Sequence, residues 1–402
     1  MNSRLKYSVV FSSTLLAVLL LIGSMMGKSA PVEGPSGVYK HLGVYSEVLS
    51  RIKSEYVEEP DMKNVTLGAM NGLLEAIDPF ASYLNADQYK EYLKNFDTYR
   101  GDLGLVLAKK FGYIAVVGAV PGSPAAKAGL TTGDMIESIK GVATRDMPLA
   151  YANLLLRGVP GSSVDLTVLR RRPDPQKMTL TRVAITAPAV ASNMLEGKIG
   201  YIHVETLGTG KLKEITADLK DLQAKGAHQM ILDLRNCSVG NPEDGVELAN
   251  LFLDKGLITY VKGQKFPRED HNADAGHTIW KGPLVVLTNR ATAAAAEVAA
   301  AALGGNKRAE VIGERTYGDA SIRRPVTLDD GSAVILSVAK FYAPDGKSIQ
   351  DNGVTPSTIV QEVDTQPDVD ESGEAVPPAA QEAKPVEDLI LKKALEVLGK
   401  KA

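Results

Sequence analysis

A chain of 402 residues has room for two or three domains with cores of their own. Its hydrophobic share of 44% and charged share of 23% are those of a globular protein, and a net charge of -3 points to neither nucleic acid nor an anionic membrane as the main partner. One cysteine, Cys237, excludes an internal disulfide framework and reads first as a small buried residue.

In chain order, residues 1–30 read as an export segment. Arg4 and Lys6 precede an uncharged run over residues 8–27 that is long enough to span a bilayer. It fits a cleaved signal peptide, with Gly27-Lys28-Ser29-Ala30 as a fair cleavage site, or an uncleaved membrane anchor. No cysteine follows the run, which excludes a lipoprotein anchor. Either form puts the rest of the chain in an extracytoplasmic space and residues 1–6 in the cytoplasm. A buried N-terminal helix is the plain alternative. Residues 35–98 read as an N-terminal helical region. Val38, Leu42, Tyr45, Leu49, Ile52 and Tyr56 step by threes and fours into one apolar seam. Leu67, Met70, Leu73, Leu74 and Ile77 make a second helix, which Asp78-Pro79 breaks.

Residues 99–186 carry a different signature. Leu103-Gly104-Leu105 is a glycine turn, Ser123-Pro124-Ala125 to Ala128-Gly129-Leu130 a short helix, and Gly133-Asp134-Met135-Ile136 a turn into a strand. Arg157-Gly158, Gly161 and the alternation of Val164, Leu166 and Val168 follow. The set resembles the PDZ domains of bacterial proteins. That resemblance implies that Leu103, Gly104 and Leu105 form the loop whose main-chain N–H groups receive a peptide carboxylate, and that polypeptide C-termini bind there by strand addition. A PDZ domain that only packs as a lid is the alternative. Arg170-Arg171-Arg172 before Pro173-Asp174-Pro175 reads as a solvated hairpin tip rather than a nucleic-acid patch.

Residues 187–361 read as α/β. A strand over 200–204 precedes a helix with Leu212, Ile215, Leu219 and Leu222 on its inner face, and a buried strand over 229–236 ends in polar residues. A helix at 246–252 and a strand at 257–261 follow. The stretch 283–289 is a β-branched strand, Thr292 an N-cap candidate, 293–303 a nearly pure alanine helix and 309–313 another strand. Strand, tight turn and helix is how a fold presents a nucleophile, because the turn exposes a side chain and the helix N-terminus offers unpaired N–H groups to an oxyanion. Residues 335–341 form a further strand. From 362 to 385 the chain is rich in Asp, Glu, Pro, Ala and Gln and is expected to be a disordered acidic linker. Residues 386–401 form an amphipathic helix, with Leu389, Ile390, Ala394, Leu395 and Leu398, that docks on the body or on a partner subunit.

Several of these stretches share one likeness. Asp78-Pro79-Phe80-Ala81-Ser82-Tyr83-Leu84, Leu232-Asp233-Leu234-Arg235-Asn236, Thr292-Ala293-Ala294-Ala295-Ala296-Glu297 and Thr316-Tyr317-Gly318-Asp319-Ala320-Ser321-Ile322-Arg323 resemble motifs of the C-terminal processing peptidases of family S41. These are serine proteases with a Ser-Lys dyad. The resemblance covers residues 37–361. It implies a crotonase-like ββα protease body with an inserted PDZ domain, and an N-terminal helical region that helps subunits associate, with simple packing on its own body as the equal alternative. It also marks what is missing. Ala294 stands where the family has its nucleophilic serine, Asp319 where it has the lysine base, and Arg323 where a glutamine helps hold that lysine. The family's glycine pair at the oxyanion hole is Val239-Gly240 here, and a β-branched Val239 is expected to crowd a turn that needs positive φ. A methyl group cannot attack a carbonyl, and the dyad needs a neutral, desolvated lysine. Losing a nucleophile costs on the order of 10^3 to 10^6 in rate.

No other chemistry replaces the dyad. His203, His228, His271 and His277 lack metal spacing, no histidine signature accompanies Cys237, and Ser238 and Ser321 read as turn serines rather than partners of Lys307 or Lys340. No metal and no cofactor are expected. The leading reading is an extracytoplasmic pseudoprotease that binds polypeptide C-termini, or an active protease of the same family, without hydrolysis. An active serine-type endopeptidase that processes C-terminal ends through a rearranged site is the second. A non-catalytic assembly subunit, a homo-oligomer included, is the third.

Overall fold

The computed structural model describes residues 35–95, 100–145, 147–170, 174–362 and 387–399. The export segment expected over 1–30 lies outside these residues, as does the linker expected over 362–385 apart from Glu362. Among the described residues no helix is long and apolar enough to cross a membrane. The chain divides into two units, residues 1–66 and 67–402.

In the first unit the helix Pro35–Glu55 has its apolar seam covered only in part: Tyr45, Leu49 and Ile52 are half-buried, while Leu42 is 55% exposed and Tyr56, just beyond the helix, is open to solvent. The next helix, Met62–Glu75, starts where Asp61 accepts from the N–H groups of Lys63 and Asn64.

In the second unit the PDZ domain is a six-stranded sheet. Leu105–Lys110, Tyr113–Ala119, Met135–Ile139, Ser163–Leu169 and Gln176–Thr181 pair in that order, and Val142–Ala143 pairs with Met135–Ile139. Val164, Leu166 and Val168 face its core, as their alternation requires. Leu105–Lys110 is an edge strand, and the helix Leu149–Leu156 packs on it. Arg182 pins that helix by its C-terminal carbonyls: Nε donates to Leu156 O (2.7 Å) and Nη2 to Leu155 O (2.9 Å). Phe80 and Ala293 join the PDZ core, so the domain is packed onto the body beside the expected reactive position.

The body carries two sheets. The larger runs Ala191–Leu195, Ile199–His203, Gln229–Asp233, Leu284–Thr288, Glu310–Gly313 and Thr358–Ile359; its first pair is antiparallel and the rest are parallel. Side chains alternate across it. Ile202, Met230, Leu232 and Val286 pack under the helices Lys211–Ala224, Pro242–Asn250 and Ala295–Gly305. Ile231, Val285, Leu287 and Ile312 meet Ile390, Ala394 and Leu398 on the other face. The C-terminal helix, Leu389–Gly399, thus docks on its own body. Gln229 Nε2 donates to Leu398 O (3.0 Å), and Arg235 bridges Asp233 and Asp388. The helix expected at 246–252 starts earlier, at Pro242, because the Asp244 carboxylate accepts the Asn241 N–H (3.0 Å) and closes the first turn. The smaller sheet orders Ser82–Leu84, Ala333–Tyr342, Leu257–Lys262 and Glu269–Asn272, with Ser321–Thr327 also paired to Ala333–Tyr342. The fold is α/β, a protease-type body with an inserted PDZ domain.

Candidate functional site

The strand Leu284–Thr288 is buried throughout and delivers the chain to a turn that is stitched to its neighbour. Asn289 Oδ1 accepts from Asn236 N (3.0 Å) and Ala291 N (3.1 Å), while its Nδ2 donates to Asn236 Oδ1 (2.9 Å) and Glu362 Oε1 (3.0 Å). Thr292 is not the N-cap. Its hydroxyl donates to Leu234 O (2.8 Å) and accepts from Asn289 N (3.0 Å), tying the turn to the strand before the oxyanion loop. The cap position is Ala294, and the helix begins at Ala295. Ala294 has φ 54° and ψ −120°, a conformation that costs a residue with a Cβ on the order of 1–3 kcal/mol. It is half-exposed. The backbone therefore retains the strained elbow that aims a nucleophile, and the atom aimed is a methyl carbon.

Behind the elbow sits a residue whose role the sequence did not reveal. Glu297 is fully buried, and four donors converge on its carboxylate: the Thr316 hydroxyl, Gly318 N (2.7 Å), Asp319 N (2.7 Å) and Ala294 N (3.1 Å). Burial pushes this carboxyl up to about 7, against the pull of those hydrogen bonds. Glu297 thereby clamps the segment 316–319 to the elbow, and so brings the two positions of the expected dyad together. The signal available in the sequence was a glutamate inside an alanine helix, where no apolar pattern calls for one.

At the base position, Asp319 is buried and bonded to the guanidinium of Arg323. Burial raises the Asp319 carboxyl and Arg323 pulls it back. Arg323 lies over the Phe80 ring (4.0 Å), which meets Tyr317 edge-on (6.2 Å). Its Nε is buried without a hydrogen-bond partner among the described residues. Asp319 and Arg323 are thus paired with each other at the positions where the resemblance implies a lysine and a glutamine.

The oxyanion loop corrects one expectation. Val239 does not take a positive φ; the left-handed positions of the loop are Asn236 (φ 60°) and Gly240 (φ 141°). Gly240 is the residue that must lack a side chain, since a Cβ there would approach Leu207 O to 2.5 Å and Ala295 Cβ to 3.0 Å. Val239 is accommodated, and its carbonyl accepts from Leu207 N (2.7 Å). Ser238 is buried against the PDZ strand at Gly118, where an added Cβ would meet its Oγ at 2.6 Å. Burial pushes the Cys237 thiol up to about 12, far from a reactive thiolate. Ser321 is hydrogen-bonded to Ser337 and Lys340 to Asp351, so neither makes a new dyad. Among the described residues no cluster has the make-up of a metal site.

The PDZ groove opens as a cavity of about 360 Å³ between the edge strand and the helix Leu149–Leu156. Leu105, Leu107, Leu149 and Leu154 line it, together with Phe80, Asp319 and Arg323 from the body. The groove and the Asp319–Arg323 pair thus share one space. Of the three residues expected to form the carboxylate loop, Leu105 lines the cavity, while Leu103 is fully buried in the core. Gly104 has φ 78°, and a Cβ on it would overlap Ser123 Cβ, so a bulky substitution there tests folding before it tests the groove. The Gly104 N–H donates to Asp102 Oδ1 (2.8 Å), and Asp102 faces Arg157 (3.4 Å); both residues line the cavity.

These features have known relatives. The profile of peptidase family S41 matches residues 198–360, and that of the PDZ domain matches residues 116–170. The carboxy-terminal-processing protease of Bartonella bacilliformis is 31% identical over 346 residues, 84% of this chain and 79% of its own length. The carboxy-terminal processing protease CtpA of Bacillus subtilis is 32% identical over 359 residues, 88% of this chain and 76% of its own. A solved photosystem II D1 C-terminal processing protease superposes with a TM-score of 0.65 at 27% identity, covering 79% of this chain and 92% of that one. This chain belongs to peptidase family S41.

Proposed function

We propose that the protein is a non-catalytic member of its family, a pseudoprotease that holds polypeptide C-termini, or an active protease of the same family, without cutting them. One observation carries the reading. The elbow keeps its strained geometry at Ala294 while the base position is filled by a neutralised Asp319–Arg323 pair. A single replaced atom leaves a working base behind; here both ends of the proton transfer are gone, and the groove beside them is open. The uncharged run over residues 8–27 supports export or anchoring, and with it an extracytoplasmic setting.

The test is cleavage of a disordered protein by the full-length chain, beside an Ala294→Ser/Asp319→Lys/Arg323→Gln variant. A silent parent and a cutting variant support the proposal. A parent whose activity follows it through purification sinks it, and establishes the reading that its relatives' names favour, a serine-type endopeptidase that processes C-terminal ends. The assembly-subunit reading rests on the helix Pro35–Glu55, whose Leu42, Val44 and Val48 are exposed. A defined homo-oligomer that binds no peptide would favour it.

A further inference from the structure

We propose that one end of the PDZ sheet docks on an anionic lipid bilayer through two hairpin tips, Lys110-Phe111 and Lys140-Gly141-Val142. The register of the sheet puts both tips at the same end. Lys110 pairs with Tyr113, so Phe111 and Gly112 are the whole turn between Leu105–Lys110 and Tyr113–Ala119. Ile114 pairs with Ile136 on the next strand, and Ile139 with Val142, so Lys140 and Gly141 turn the chain level with Phe111. Both residues of each turn have positive φ: 53° and 79° in the first, 52° and 77° in the second. Such turns ordinarily place Asn, Asp or Gly first. Here the first places hold a phenylalanine and a lysine, and a bulky residue is strained there.

The phenylalanine is held outward. Gly112 beside it is tied twice: its N–H donates to Glu75 Oε1 (2.7 Å), and its carbonyl accepts from Lys109 Nζ (2.8 Å). The Phe111 ring is 77% exposed and carries the Lys110 ammonium 5.5 Å from its centre. Val142 is 52% exposed, and Lys110 and Lys140 are exposed next to these apolar groups. Glu75 also ties this end of the sheet to the segment 73–77, whose Leu73 and Ile77 are open to solvent. Folding gains little from apolar groups placed this way, because their surface stays in water.

Shape and charge fit a bilayer. Two short tips that stand out from a sheet end suit a flat, deformable surface. A ring flanked by lysines suits the headgroup boundary, where the ring sinks and the ammonium groups meet anionic lipid. The net charge of -3 belongs to the whole chain; residues 99–186 hold twelve Lys and Arg against six Asp and Glu. Asp165, whose carbonyl accepts from Lys140 N (2.8 Å), has its carboxylate engaged by the Thr179 hydroxyl (2.6 Å). The uncharged run over residues 8–27 brings the chain to a membrane, whether as signal or as anchor. The Gly104 end of Leu105–Lys110 lies roughly 17 Å from the tip along the strand. The peptide groove therefore stays open while the tip is docked.

The experiment places a tryptophan at the tip, Phe111→Trp, in the full-length chain. The protein is reconstituted with vesicles of phosphatidylglycerol and phosphatidylcholine whose acyl chains are brominated near the headgroups. The native Trp280 is buried and gives a constant background. The control is Lys127→Trp, on the short helix that bonds to Leu103 at the other end of the domain. The tip tryptophan should shift to the blue and be quenched; the control should not. Adding Lys110→Gln and Lys140→Gln should lower the docked-to-free ratio, read from the quenched fraction, by about fivefold for each lysine. Vesicles of phosphatidylcholine alone should lower it at least as far. All these changes fall at exposed positions, so the fold is kept. A tip tryptophan that stays in water overturns the proposal, as does equal quenching at 111 and 127, or quenching that the lysine changes leave unmoved. A tip that becomes buried without vesicles, in step with protein concentration, overturns it in favour of a second copy of this chain.

Discussion

At the elbow, four donors converge on the Glu297 carboxylate; in the groove, a single main-chain N–H is taken by Asp102. The first carboxylate is fully buried and joins two segments of the body, while the second is half-exposed and balanced by Arg157. In both regions a carboxylate accepts main-chain N–H groups and fixes a turn. The comparison teaches that a site's frame and its reacting atoms have different supports. The elbow is held by Asn289, Thr292 and Glu297, so its geometry does not depend on which side chain stands at 294. The groove's wall is held by Arg182 and by the main-chain bridge between Gly101 and Gly158.

If Glu297 is the support of the elbow, breaking it should have the largest effect. Glu297→Ala strands four donors in a buried site and should cost roughly 3–5 kcal/mol in urea unfolding. Asp102→Ala, with one half-exposed donor, should cost under about 1 kcal/mol. Equal losses would erase the distinction between the two regions.

Next comes pH. The Glu297 carboxyl is raised from its ordinary 4.5 to about 7 in the fold. Between these values the folded chain keeps a proton that the unfolded chain releases. This contribution to stability is fully present below pH 4.5 and is lost as pH rises through 7. The loss is on the order of 3 kcal/mol. Burial also raises Asp319, in the same sense. Denaturation midpoints should fall from pH 5 to pH 8 in the parent and fall less in Glu297→Gln.

Arg323→Ala leaves the Asp319 carboxyl buried and uncompensated and should cost roughly 3 kcal/mol, the low end for a buried pair because Arg323 is partly exposed. Asp319→Lys alone sets two cations together, so it should be worse than Asp319→Lys/Arg323→Gln; a double-mutant cycle reads the coupling. A small effect belongs to the strain itself. Ala294→Gly should stabilise by about 1 kcal/mol, because glycine adopts φ 54° without penalty. The same change at the ordinary helical Ala299 should destabilise by about 1 kcal/mol.

Much of this architecture was legible in the chain. The alternation of Val164, Leu166 and Val168, the buried run at Leu284–Thr288 and the amphipathic C-terminal helix all follow from local periodicity, which a chain carries in its order of residues. The absence of a nucleophile at Ala294 and of a lysine at Asp319 is likewise a property of side-chain chemistry, readable without coordinates. The contacts that give those positions meaning are not. Glu297 meets Gly318 and Asp319 across 21 and 22 residues, and Arg235 reaches Asp388 across 153. Such pairings depend on where separate strands end, not on any local pattern. The same holds for Val239, since the turn's left-handed residue is chosen by the packing of Leu207 and Ala295 around Gly240. Asp102 is different: its carboxylate accepts from the Gly104 N–H only two residues on, a local turn that the order of residues itself allows, and the tertiary structure adds only the Arg157 partner and the place of the pair in the cavity lining.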